Sequence, residues 1–185
     1  MDTSAIQSDA VSTEGGIPFG DSKAPLKVVE FINLRCPHCK TWWDKAAPLL
    51  DPYVKDGKVQ RIIKHYDKDK EGLKLGNVLH QYIDYTDKDK AKADIDFYYA
   101  HLDDWGSLSE EELERYVREE REAEKQDNTI EAQSIIEEVK KANVEFVPTI
   151  IIEDYVFDQN IPEEELESVI EAKLDRGKDR ESNTF

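Results

Sequence analysis

A short apolar and β-branched run, Leu26 to Leu34 (LKVVEFINL), leads almost directly into Cys36-Pro37-His38-Cys39, and a helical pattern follows. The run has the length and composition of a buried strand, bounded upstream by DSKAP. Pro37 suits the first turn of a helix, where its missing N–H has no intrahelical partner to lose. Beyond it, Trp42, Trp43, Ala46, Leu49 and Leu50 recur at helical spacing, and Pro48 is expected to kink or end the helix. Both cysteines of the chain therefore stand at a strand-to-helix junction.

The rest of the chain extends this into an α/β order. Asp56-Gly57 opens a second strand over Lys58 to Asp67. From about Asp67 to Asn128 the sequence turns to charged helical stretches: Leu75, Leu79, Tyr82 and Ile83 mark one, Ile95, Tyr98, Tyr99 and Leu102 another, and Leu113, Tyr116 and Val117 a third. Ser109 and Glu112 form a capping box before the third. Three apolar faces require a shared interior. A helix over Thr129 to Asn143, capped by Asn143 in a left-handed conformation, precedes two strands, FVPTIIIED and YVFDQN, joined by a tight acidic turn. A last helix opens with Pro162 and acidic residues. The expected organisation is a mobile tail over 1–16, an α/β domain over 17–66 and 129–175, a helical subdomain inserted at 67–128, and a C-terminal tail over 176–185.

A formal net charge of −17 on 185 residues argues against nucleic-acid partners and anionic membrane surfaces. There is no run of 18 apolar residues for membrane insertion. The opening MDTSAIQSDAVSTEGG lacks a basic and an apolar region, so the chain as written reads as cytoplasmic. A processed exported chain with an added Met1 has the same appearance.

A first cysteine at a helix N-terminus is poised to be a thiolate, because unpaired N–H groups and the helix dipole favour the anion. Cys36 is therefore the better nucleophile. Cys39, one turn further in, stands where it can resolve a mixed disulfide on Cys36. His38 can stabilise the Cys36 thiolate by its charge or by N–H donation, and Arg35 adds a cation before it. Such surroundings pull a cysteine pKa from about 8.5 to roughly 3.5–7.5.

The sequence VVEFINLRCPHC, followed later by Val147-Pro148-Thr149, resembles the DsbA-like branch of the thioredoxin superfamily. The resemblance covers most of the chain, from GDSKAPLKVVEF to the terminal helix, with the helical insertion between. It implies a thioredoxin fold interrupted by a helical subdomain and a protein thiol–disulfide oxidoreductase. Its site would comprise Cys36, Pro37, His38 and Cys39, with Val147, Pro148 and Thr149 as the substrate-binding wall. It further implies a cis bond before Pro148 facing Cys36, a Val147 backbone that pairs with an extended substrate, and Glu30 as a buried acid helping proton transfer at Cys39. No cofactor and no metal are required. The implied partners are a cysteine-containing protein or peptide substrate and an unidentified redox recycling partner.

The residues alone leave other readings open. The cysteines fit a pair of core thiols, or half of a zinc site whose other ligands would come from His65, His80 and His101, which lack ligand-pair spacing. A c-type haem fails, since Lys40 and not His follows Cys39. Glu30 also fits an acid on the open side of an edge strand, and of the adjacent Trp42 and Trp43 one is expected in the core and one near the active-site surface. Trp105 is expected in the core of the insertion. The rival function is a non-catalytic redox-responsive or zinc-binding adaptor with the same fold.

Overall fold

The computed structural model describes residues 1–182. Five strands, β1 (Ile17–Phe19), β2 (Leu26–Ile32), β3 (Val59–His65), β4 (Thr149–Ile152) and β5 (Tyr155–Phe157), form one mixed sheet in the order β1-β3-β2-β4-β5. Only β2 and β3 run parallel, and the helix α1 (Pro37–Lys55) connects them. The three-residue edge strand β1, absent from the sequence expectation, pairs Ile17 with Ile63.

The central strand β2 shows why its sequence is almost uniformly apolar. Val28 and Ile32 face a core shared with α1 and with α7 (Glu163–Ser182), whereas Val29 and Phe31 face a second core under α6 (Thr129–Ala142). Alternate residues of a strand point to opposite faces, so a sheet covered on both sides needs apolar residues at every position. Glu30 is the exception. It lies fully buried in this central strand, which corrects the edge-strand expectation.

The insertion between β3 and α6 holds α2 (Lys74–His80), α3 (Lys88–Ala100), the short α4 (Leu102–Trp105) and α5 (Glu110–Arg121), with the Ser109–Glu112 capping box formed. Its interior is not separate: Leu79, Ile95, Tyr98 and Leu113 belong to the same cluster as Leu34, Trp42 and Ile150. Both Trp42 and Trp43 are buried, so neither serves the surface. Trp105 is buried and donates to the Tyr98 carbonyl at 2.8 Å. Pro48 and Pro52 both lie inside α1, so of the two expected outcomes, a kink or an end, the helix does not end at Pro48. Pro48 stands among exposed positions of the helix, where a carbonyl deprived of its amide partner can be hydrated, while Trp42, Ala46 and Leu50 anchor the buried face.

The ends also differ from expectation. Residues 6–16 lie against α6, where the Gln7 N–H donates to the Ala142 carbonyl and Ile6, Ala10 and Val11 pack on the second core, while the Met1 ammonium pairs with Asp158 at 3.0 Å. Backbone contacts of this kind leave no periodicity to read. The helix α7 runs on to Ser182, through most of the expected C-terminal tail; residues 183–185 of that tail lie outside the described residues. Among the described residues no helix is long and apolar enough to cross a membrane.

Candidate active site

Cys36 is the N-cap of α1, with extended backbone (φ −80°, ψ 118°), and Pro37 occupies the first helical turn. The free N–H groups of that turn are therefore presented to the Cys36 sulfur. Both cysteines are free thiols. The Cys36 pKa is lowered to about 6, first by a hydrogen bond from the Cys39 thiol, then by the backbone N–H groups of Cys39 and His38 and the charge of His38; burial opposes these. Cys39 is pushed well above the ordinary thiol range, chiefly because it is wholly buried. The Asn33 N–H, 3.4 Å from its sulfur, works in the other direction. Cys36 is itself only 5% exposed, but hydrogen bonds to its sulfur outweigh burial there, whereas burial prevails at Cys39. Pro37 and His38 are exposed at the lip of the site.

Across the site, the Val147–Pro148 peptide is cis, and the Cys36 thiol donates to the Val147 carbonyl at 3.6 Å. Two segments far apart in sequence thus meet at the sulfur. Thr149 is fully buried; its hydroxyl donates to the Phe146 carbonyl at 2.7 Å and so pins the loop rather than lining an open surface. Between the cysteine segment and this loop runs a groove of about 580 Å³, bordered by Cys36, His38, Lys68, Lys70, Leu73 and Val147.

Behind the dithiol, Glu30 receives Arg61 through Nε at 2.7 Å and Nη2 at 2.9 Å, and the Trp42 indole N–H at 2.7 Å. Both carboxylate oxygens are engaged, and the Arg61 guanidinium also lies 4.8 Å from the centre of the Trp43 ring. Arg35, expected beside the thiolate, directs its Nε to the Gly106 carbonyl at 2.6 Å.

Sequence reasoning missed the clamp that the insertion forms on residues 33–35. The Leu34 N–H donates to His80 Nε2 at 3.1 Å, and the other ring nitrogen of His80 lies 2.6 Å from Asp67. The Asn33 side-chain amide donates to Asn77 at 2.8 Å, and the Tyr99 hydroxyl donates to the Asn33 carbonyl at 3.2 Å. Gly76 packs so closely here that a Cβ on it would stand 2.0 Å from the Asn33 amide oxygen. None of the partners on the insertion side is near the cysteines in sequence; the only local signal was a glycine inside a helical pattern.

The scattered histidines are partly gathered, His65 stacking on His80 with ring centres 4.5 Å apart. They floor a second cavity of about 580 Å³ that no cysteine lines. Among the described residues, no group of three or more His, Cys, Asp or Glu side chains is arranged to hold a metal ion.

A family model described as Thioredoxin matches residues 12–172. The solved structure of a conserved protein of unknown function from Enterococcus faecalis V583 is 44% identical, with a TM-score of 0.90, over 92% of this chain and 98% of that one. Oxidised BdbD from Bacillus subtilis shares the fold at 19% identity and a TM-score of 0.66, over 89% of this chain and 95% of its own. A "Probable disulfide bond formation protein D" from Bacillus cereus is 36% identical over 81 residues, 43% of this chain and 37% of that protein. Its namesake from Bacillus anthracis is 29% identical over 116 residues, 60% of this chain and 48% of that protein. The matched stretches thus span less than half the length of these two curated relatives. With the sheet, the insertion and the cysteine-bearing junction in place, the family match over residues 12–172 establishes that the chain belongs to the thioredoxin family.

Proposed function

We propose that the protein is a thiol–disulfide oxidoreductase that oxidises cysteine-containing proteins or peptides through a mixed disulfide on Cys36. The observation that carries this reading is the contrast within the dithiol: Cys36 at about 6, facing the Val147 carbonyl and the groove, and Cys39 raised and sealed one turn behind it. In the oxidised protein, a substrate thiolate attacks Cys36 Sγ. The Cys36–Cys39 bond breaks, and its electron pair leaves on Cys39, which takes up a proton. A second substrate thiolate then attacks the substrate sulfur of the mixed disulfide, and Cys36 departs as a thiolate. The substrate has lost two electrons and two protons to form its disulfide, and a recycling partner must accept the electrons from the dithiol.

A low leaving-group pKa speeds the second step and stabilises the reduced protein, which favours the oxidising direction. His38 supports the thiolate, Pro37 fixes the helix start, and Val147 with Pro148 forms the wall that an extended substrate strand would meet. Thr149 holds that wall in shape from behind. Glu30, with both oxygens engaged, positions the Trp42 indole and the Arg61 guanidinium.

The test is oxidation of a reduced two-cysteine peptide by the oxidised protein, with zinc content measured alongside. Turnover by the metal-free protein, abolished in Cys36→Ser, and a reduction potential less negative than about −200 mV are expected. Stoichiometric zinc without turnover would instead support the adaptor.

A further inference from the structure

The groove beside Cys36 carries a charge pattern opposite to that of the chain. The protein has 42 acidic and 25 basic residues, yet among the described residues that line this groove are Lys68, Lys70 and His38 and no carboxylate. Lys68 is anchored: half-buried, it donates its ammonium to the Glu145 carbonyl. It is also close enough to Cys36 for the two charges to act on each other. Lys70 is exposed on the same rim. The acids next to the lining residues in sequence lie outside the lining. Asp69, Glu71 and Glu145 are exposed, Glu71 pairing with Lys74 at 2.5 Å. Asp158 is buried with its oxygens engaged by the Asn160 N–H at 2.8 Å and by the ammonium of Met1, which also lines the groove, at 3.0 Å. Leu73, Phe146 and Val147 supply apolar contact between the charges.

From this pattern we infer that the protein prefers peptide segments carrying Asp or Glu within a few residues of the reactive cysteine. The inference rests on the oxidoreductase reading and names its substrate class. An extended strand against Val147 passes its flanking side chains over Lys68 and Lys70, where acidic groups gain an ion pair and basic groups meet a like charge. The acidic remainder of the surface acts the other way at long range. At about 0.15 M salt, however, the screening length is ~8 Å, so the groove's own charges dominate a bound peptide. Exposed pairs contribute about 0.2–1 kcal/mol each. Two such pairs, attractive for one peptide and repulsive for the other, correspond to a discrimination of roughly fivefold or more.

The experiment compares three reduced two-cysteine peptides, identical except for acidic, neutral or basic residues flanking the cysteines, as substrates of the oxidised protein. The expected kcat/KM for the acidic peptide exceeds that for the basic one by roughly fivefold or more at about 0.15 M salt, and the ratio collapses toward one at about 1 M, where screening falls to ~3 Å. The ratio should vanish in Lys68→Gln/Lys70→Gln and persist in Lys68→Arg/Lys70→Arg. Taking the ratio within each protein cancels any change in Cys36 reactivity. If the glutamine variant does not fold, the ratio and its salt dependence in the unaltered protein decide. Equal rates for all three peptides would overturn the charge preference and leave the redox reading standing, whereas oxidation of none would overturn both. A ratio that survives in the glutamine variant would also contradict the proposal.

Discussion

The two sides of the dithiol are built from different parts of the chain and do opposite things to the same chemical group. On the outer side, Cys36 meets the cis-proline loop and a groove bordered by lysines. On the inner side, Cys39 has no exposure and is backed by the Asn33 segment, which the insertion holds through Asn77, His80 and Tyr99. One thiol is drawn down to about 6 and the other pushed up. A single helical turn separates them. The difference teaches that the thiol at the helix start is lowered by hydrogen bonds to its sulfur, first from the Cys39 thiol and then from the helix N–H groups; one turn deeper, burial dominates.

The largest expected effect comes from breaking the frame on the inner side. Glu30→Leu removes the carboxylate from a guanidinium only 1% exposed, and an unpaired buried charge of this kind costs roughly 3–5 kcal/mol. Asp51, 3.7 Å from Arg61 but half exposed, should recover only part of it. Denaturant melts would measure the loss; a cost below about 1 kcal/mol would mean the pair does not anchor the inner side.

Next in size is the gap between the redox forms. A two-residue disulfide loop removes little entropy from the unfolded chain, so the Cys36 thiolate should make the reduced protein the more stable form. Because the folded pKa is depressed, this contribution is complete above the unfolded value of about 8.5 and fades as pH falls through about 6. At full extent it is on the order of 3 to 4 kcal/mol. Melts of both forms across that window would show it, and an oxidised form more stable throughout would contradict the oxidising direction.

A smaller effect separates two glycines of the insertion. Gly76→Ala forces a Cβ against the Asn33 amide and should cost about 1–3 kcal/mol while loosening the loop behind Cys39. Gly72→Ala, with nothing within 4 Å of its Cβ, should stay within about 0.5 kcal/mol. Equal effects in melts of the two variants would show that the clamp is loose.

What was legible in the sequence follows the same division. The strand, the Pro37 helix start and the cysteine spacing are local patterns, and the Ser109 capping box and the left-handed Asn143 cap (φ 56°) are local chemistry; all appear where residue types place them. The burial of Glu30 was implied by the resemblance but not legible in the strand pattern itself, because strand order depends on pairings between distant segments and a lone acid reads equally as exposed. The same holds for the His80–Leu34 bond and for Thr149, whose hydroxyl turns inward for a partner three residues back. The continuity of α1 through Pro48 shows packing of an apolar face overriding a local helix breaker.

The account is tested most directly by alkylating the fully reduced protein over a range of pH and mapping the labelled peptide. The predicted result is a single early-reacting thiol, Cys36, whose labelling rate rises with a midpoint near pH 6, while Cys39 stays unlabelled until the protein is unfolded. Labelling of Cys39 first, or a Cys36 midpoint at the ordinary thiol value of about 8.5, would contradict it.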